Sequence, residues 1–380
     1  MLRIIADDKI PFLNGVLEPY AKIAYLPGNM ITRSAIGDAD ALLVRTRTHC
    51  DSVLLKDSPV KFIATATIGF DHIDTAYCQS QNIHWENAPG CNSSSVQQYI
   101  ASALIQLAKF HKSALKGRTI GIVGVGNVGS KVEKIARAFG MKVLLNDPPR
   151  ERKEGSSHFA PLDELLSLAD IITLHVPLNT AGQDKTQHLF NETTIGKMKP
   201  GAYLLNTSRG EVIETKALLN ALTEGKIASA VLDVWENEPN IDLQLMKKVH
   251  IATPHIAGYS ADGKAKGTAM IVQALSRQFN LPLTDWFPSG IPQPDRPVIF
   301  IDGKGKNSEE IRMEAISYTY DIMADDQRLR TSPVTFELQR GHYPVRREFP
   351  AYALHVKNTG ASTLQTLKLM GFNVIKNTAD

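Results

Sequence analysis

The sequence predicts an α/β protein: two doubly wound parallel-sheet domains followed by a small C-terminal α+β domain. Three observations predict it. Short apolar runs alternate with helical patterns over residues 1–93, the mark of a parallel sheet covered by helices. A β-branched strand at Thr119 runs into Gly124-x-Gly126-x-x-Gly129 and then into a helical pattern. Five of the chain's 20 prolines fall between Pro282 and Pro297, a density that stiffens a connection and blocks helix and strand alike.

In chain order, Leu2–Ala6, Lys22–Leu26, Ala41–Val44, Phe62–Thr65 and Asn82–Trp85 read as strands, with a helix at Ile73–Gln79. Ser93-Ser-Ser95 is expected to cap a long helix, because Val96, Tyr99, Ile100, Ala103, Leu104, Leu107 and Ala108 share one face. After the Thr119 strand, Val132, Ile135, Ala136 and Phe139 form a helical stripe that Gly140 stops. Further strands are expected at Lys142–Asn146, Ile171–Val176, Ala202–Leu205, Ala230–Val234 and His250–Ala252. Helices are expected at Leu162–Leu168 and Lys216–Leu222, and a helical pattern runs to about Phe279. Past the prolines, strands at Val298–Ile301, Tyr352–Val356 and Phe372–Ile375 alternate with helices at Ser308–Ile322 and Leu364–Met370. The expected domains are 1–93 (completed by a helical segment near 258–280), 94–257 and 281–380, and the last shows no catalytic constellation.

The totals are those of an ordinary globular protein, with 43% hydrophobic and 21% charged residues. A net charge of +3, without basic runs interleaved with aromatics, points away from nucleic acid. No apolar run approaches ~18 residues, so no membrane span is expected. Cys50, Cys78 and Cys91 lack CxxC spacing, and an odd, sparse count fits a reducing compartment and no disulfide framework; no metal is expected. Asp7 and Asp8 stand where an export signal would carry its apolar core, so a cytoplasmic address is expected.

The glycine-rich stretch carries the first functional reading. The first glycine makes a tight turn, the second lets backbone approach a pyrophosphate, and the third lets helix pack on strand. The helix N-terminus, from Asn127 and Val128 onward, offers N–H groups and a partial positive charge to phosphates. Asp147 ends the next strand, 18 residues after Gly129 (147 − 129), where an acid meets ribose hydroxyls and disfavours a 2′-phosphate. NAD is therefore the expected cofactor, although Arg150 stands three residues beyond the acid.

Three more strand ends carry chemistry. Moving a hydride between a 2-hydroxy acid and nicotinamide needs a base for the hydroxyl proton, and histidine suits it. A carboxylate beside the ring fixes its orientation and favours proton uptake. A guanidinium grips the substrate carboxylate bidentately. His255, Glu238 and Arg209 supply one each. In the first domain, Arg45-Thr46-Arg47 follows one strand and the small-residue loop Thr65–Gly69 follows another. The loop reads as a carboxylate cradle or as an ordinary turn.

The order Gly124-x-Gly126-x-x-Gly129, Asn206–Gly210, Asp233–Pro239 and Pro254-His255-Ile-Ala-Gly258 resembles the D-isomer-specific 2-hydroxyacid dehydrogenase family over about 1–280. The resemblance implies Arg209, Glu238 and His255 as the catalytic residues. It implies cofactor contacts at the glycine loop, Asp147, Thr207, Ser208, Arg209, Asp233 and Gly258. Val176 places an apolar side chain where relatives can present a hydroxyl, so only a backbone or packing role is expected there. A narrower likeness, to family members acting on a phosphorylated 2-hydroxy acid, rests on Leu43-Val-Arg-Thr46, Thr65-Ala-Thr67-x-Gly69-x-Asp71-His72, Ala88-Pro-Gly-Cys-Asn92, Asp147-Pro-Pro149, His255-Ile-Ala-Gly-Tyr259 and Gly263-Lys-Ala-Lys-Gly267. It implies substrate contacts at Thr46, Thr67 and Tyr259. It also implies a homodimer through the C-terminal domain, where Tyr320-Asp-Ile, Asp325-Asp326 and Arg346-Arg-Glu348 carry the match. Such a substrate has two anionic ends. Arg209 and the Thr65–Gly69 loop suit the carboxylate. Arg45 and Arg47 suit the phosphate, with Arg346 or Arg347 of a partner subunit as further candidates. Two other readings are a different family member, such as a phosphoglycerate dehydrogenase with a regulator-binding C-terminal domain, and a non-catalytic NADH-sensing protein.

Overall fold

The computed structural model describes residues 1–375, apart from the side chain of Ser156. The chain forms two compact units, 1–92 with 260–292, and 93–259 with 293–380.

The first unit carries strands β1 (Arg3–Asp7), β2 (Lys22–Leu26), β3 (Ala41–Val44), β4 (Phe62–Thr65) and β5 (His84–Glu86). They pair in parallel in the order β2-β1-β3-β4-β5. β3 and β4 are buried along their whole length, as continuous apolar runs in a covered parallel sheet require. The helix Ala261–Phe279 lays Ile271, Val272 and Leu275 on one face of this sheet. The expected helix at Ile73–Gln79 runs from Thr75 to Ser80, capped by the Asp74 carboxylate on Tyr77 N–H. Two single-turn helices, Arg33–Ile36 and Ser52–Leu55, are too short to leave a periodic signal.

The second unit holds β6 (Thr119–Val123), β7 (Lys142–Asn146), β8 (Ile171–Leu174), β9 (Ala202–Asn206), β10 (Ile227–Leu232) and β11 (Ile251–Ala252), all parallel, in the order β11-β10-β9-β8-β6-β7. The order reverses between β6 and β8, and ligands of open α/β sheets bind outside the carboxyl ends of strands at such a switch. Residues 293–375 add β12 (Val298–Asp302), β13 (Ala353–Lys357) and β14 (Asn373–Val374), also parallel. Ile299, Ile311, Leu354 and Leu367 of this segment share one core with Val96, Ile100 and Leu104 of the long helix Ser93–Phe110.

Two local expectations are corrected. Ser93–Ser95 lie inside the long helix rather than capping it, and Ser94 and Ser95 reach tertiary partners, Lys131 and Glu348. The helix expected at Ser308–Ile322 stops at Thr319. Tyr320 is extended, and the Asp321 carboxylate accepts Met323 and Ala324 N–H to start a new helix, Ile322–Thr331. An N-cap inside an apolar pattern breaks the helix without breaking the pattern.

Candidate active site

The glycine turn after β6 has the geometry a dinucleotide needs. Gly124 has φ +86°, and a side chain there would sit 2.6 Å from the His175 carbonyl oxygen. A Cβ at Gly129 would lie 2.1 Å from the Gly124 carbonyl oxygen. Gly126 instead faces open space, which leaves room for phosphates against the turn. Gly126 and Asn127 are exposed, Val128 is half-buried, and the helix Gly129–Ala138 begins there. At the end of β7 the Asp147 carboxylate accepts Val125 N–H (2.8 Å) and Arg150 N–H (3.1 Å), tying the second strand end to the turn. Arg150 is engaged by Glu154 through Nε and Nη2 and donates to Val125 O, so its charge is spent locally. These residues fit NAD.

At the end of β8, His175 and Val176 pack against Gly124. The residue His175 is only partly covered, but its ring lies inside, between the hydroxyls of Thr173 (2.9 Å) and Thr207 (3.3 Å). Burial pushes its pKa down to about 3. Nothing in the sequence marked this histidine, because it falls inside the strand expected at Ile171–Val176, which ends at Leu174.

After β9 the Asn206 side chain closes the turn that presents Arg209. It donates to Arg209 O (2.8 Å) and accepts Ser208 N–H and Oγ–H (3.0 and 2.7 Å). Ser208 is thus buried in the turn, while Thr207 faces His175. Gly210 lets this turn lie against the loop after β10, since a Cβ there would fall 1.9 Å from the Trp235 carbonyl carbon.

After β10, Asp233 and Glu238 share the work on the loop 253–259. The buried Asp233 carboxylate accepts Thr253 Oγ1–H (2.6 Å), Ile256 N–H (2.8 Å) and Ala257 N–H (2.9 Å). Hydrogen bonds to a charged group contribute about 1.5–3 kcal/mol each, so this residue tethers the loop strongly. Expected as a cofactor position, Asp233 has both oxygens committed to the chain itself. Glu238 accepts Trp235 N–H (2.9 Å) with one oxygen and lies 2.8 Å from His255 Nδ1 with the other. His255 adopts φ +56°, uncommon for a residue with a Cβ, and its ring is 31% exposed. With Nδ1 on the carboxylate, Nε2 has no hydrogen-bond partner among the described residues and is the nitrogen available to a substrate. Gly258 and Tyr259 follow, half-buried.

The C-terminal segment reaches this loop. Tyr343 meets the Tyr259 ring edge-on at 5.9 Å, and the Arg340 guanidinium lies 5.8 Å from that ring. Arg346 is buried in its own subunit and donates to the carbonyls of Ile256 and Ala257 (3.2 and 2.6 Å). Arg346, a candidate for the phosphate of a partner subunit's substrate, here spends its Nη2 on carbonyls of its own chain.

In the first unit, Thr46 and Arg47 are exposed after β3, and Arg45 donates to Lys9 O (3.1 Å). The Thr65–Gly69 loop is held by a hydroxyl chain: His72 Nε2 to Thr65 Oγ1 (3.0 Å), Thr65 to Thr67 (2.8 Å), and Thr67 to Gly69 O (2.9 Å).

The family model for the D-isomer specific 2-hydroxyacid dehydrogenase NAD binding domain matches residues 92–257, and a domain of unknown function (DUF3410) matches residues 292–371. Erythronate-4-phosphate dehydrogenase of Bacteroides fragilis is 51% identical over 354 residues, 93% of this chain and 99% of the relative. The protein of that name from Porphyromonas gingivalis is 40% identical over 98% of this chain and 100% of its own length. Among solved structures, D-lactate dehydrogenase from Aquifex aeolicus, complexed with NAD and lactic acid, superposes with a TM-score of 0.62 at 28% identity, covering 74% of this chain and 96% of its own.

Proposed function

Because the chain belongs to the D-isomer specific 2-hydroxyacid dehydrogenase family, among its erythronate-4-phosphate dehydrogenases, we propose that it oxidises 4-phospho-D-erythronate to (R)-3-hydroxy-2-oxo-4-phosphooxybutanoate in the synthesis of pyridoxine 5′-phosphate. It is an NAD-dependent dehydrogenase. Gly124, Gly126, Asn127, Val128, Gly129 and Asp147 would hold the dinucleotide, with Val176, Thr207, Ser208, Asp233 and Gly258 lining its path along the strand ends. Bound there, NAD supplies the hydride acceptor. His255 Nε2 takes the hydroxyl proton as the C2–H bond breaks and C2=O forms. Glu238 orients the ring and carries the charge that steadies the imidazolium. Arg209 grips the substrate carboxylate.

One observation carries this reading, the 2.8 Å contact of His255 Nδ1 with Glu238. It leaves Nε2 to the reaction. His255→Ala should lower kcat about 10²–10⁴-fold, the range for a lost general acid–base, with NADH affinity retained. Wild-type turnover in that variant would remove His255 from the role.

Thr46, Thr67 and Tyr259 are proposed as substrate contacts, and Arg45 and Arg47 as the pair for the phosphate. A homodimer is proposed through the C-terminal sheet, whose strand β12 exposes Phe300 (73%) and Val298 (39%), an apolar face that pairing would cover. The three cysteines are buried, and no disulfide forms among the described residues, which supports a reducing, cytoplasmic setting. Among the described residues no helix is long and apolar enough to cross a membrane.

A further inference from the structure

The loop that carries His255 is held from both faces by charges. On one face the Asp233 carboxylate accepts the N–H groups of Ile256 and Ala257. On the other, Arg346 Nη2 donates to the carbonyls of the same two residues, 3.2 and 2.6 Å away, from 90 and 89 positions later in the chain. The peptide group joining Ile256 to Ala257 thus lies between a buried anion and a buried cation, its N–H on Asp233 and its C=O on Arg346, and the peptide groups on either side of it each meet one of the two charges. The guanidinium rests on the Tyr320 ring, 4.5 Å from its centroid, with Tyr343 at 5.7 Å. Both phenols donate to Asp325, each at 2.7 Å, so the arginine is caged by rings fixed to a second buried acid. Arg346 Nε and Nη1 have no hydrogen-bond acceptor among the described residues, so its polar reach is spent entirely on the loop. One residue further along, Asp326 accepts Ala252 N–H at 2.7 Å, pinning the strand from which the loop departs.

A histidine at φ +56° keeps that backbone only while its surroundings enforce it. The peptide bonds immediately after it are the ones clamped. We propose that Arg346 is a positioning residue for the dehydrogenase reaction: by gripping Ile256 O and Ala257 O it fixes the backbone of His255, and through it the C-terminal module sets the geometry of proton transfer. The inference rests on His255 as the base. Lysine at 346 keeps a charge and N–H donors but lacks the planar guanidinium whose rest on Tyr320 aims Nη2 at the two carbonyls, and methionine offers no donor.

The test is steady-state kinetics of Arg346→Lys and Arg346→Met, with active sites counted by NADH binding and with substrate carrying deuterium at C2. Leu367→Ala, buried elsewhere in the same module, serves as the destabilised control. Per NADH-binding site, kcat should fall about 10-fold in Arg346→Lys and about 100-fold in Arg346→Met, for a base displaced from reaction geometry. The deuterium isotope effect on kcat should rise, because the chemical step becomes limiting. Leu367→Ala should lower the melting temperature with kcat per site and isotope effect unchanged. Wild-type kcat and isotope effect in both arginine variants would overturn the proposal, and so would a Leu367→Ala enzyme that matches Arg346→Met. If Arg346→Met yields no NADH-binding protein, Arg346→Lys decides by the same criteria. An inactive His255→Ala beside fully active arginine variants would defeat this inference alone. An active His255→Ala would defeat the base assignment beneath it.

Discussion

Between the hydroxyls of Thr173 and Thr207, the His175 ring is kept neutral, and burial pushes its pKa down to about 3 against an unfolded value near ~6.5. As pH falls below ~6.5 the unfolded chain takes up a proton that the folded chain refuses, so His175 costs stability increasingly from that pH toward 3 and costs nothing above it. His175→Gln keeps a hydrogen-bonding side chain and removes the titration. Urea unfolding at pH 7 and pH 5 should therefore show a smaller acid-induced loss in the variant than in the parent, whereas equal losses would mean the ring is not held neutral. At this scale the sequence was legible in part where chemistry asks for a residue type at a strand end: Glu238 and His255, picked out on two separate strand ends, are in contact. It was illegible where a role depends on a distant partner. Arg346 drew notice only through the resemblance, and its grip on the loop was not readable, since the carbonyls it binds lie 90 and 89 positions away.

Among the elements, the sharpest constraint is the approach of the turn 206–210 to the loop after β10. An alanine at 210 would place its Cβ 1.9 Å from backbone at Trp235, which cannot be relieved by a side-chain rotation. Gly210→Ala should therefore push the two strand ends apart. Thermal unfolding should drop by at least a few degrees, the consequence of overpacking of about 1–3 kcal/mol, and kcat/KM should fall as Arg209 moves. An unchanged melting temperature would show that the turns are looser than described. Strands were read to within a few residues because a covered parallel sheet writes continuous apolar runs. Helix ends were read less well. Ser94 and Ser95 have capping chemistry yet serve tertiary partners, and Asp321 caps a second helix inside what reads as one apolar pattern.

For the whole molecule, the proline-dense stretch draws a boundary in sequence, yet the segment beyond it shares a core with the long helix Ser93–Phe110. Periodicity cannot report which sheet a helix will cover, so that sharing was not readable. The segment's outer face is where a second copy is expected. Phe300→Asp should convert a dimer to a monomer in light scattering, and a wild-type protein that is already monomeric would contradict the dimer. The central claim is tested most directly by NADH formation with purified protein, NAD and a panel of 4-phosphoerythronate, 3-phosphoglycerate, D-glycerate and D-lactate. The account predicts the highest kcat/KM on 4-phosphoerythronate, with its KM raised in the Arg45→Ala, Arg47→Ala double variant. Faster turnover of another acid, or tight NADH binding with no turnover of any of them, would contradict it.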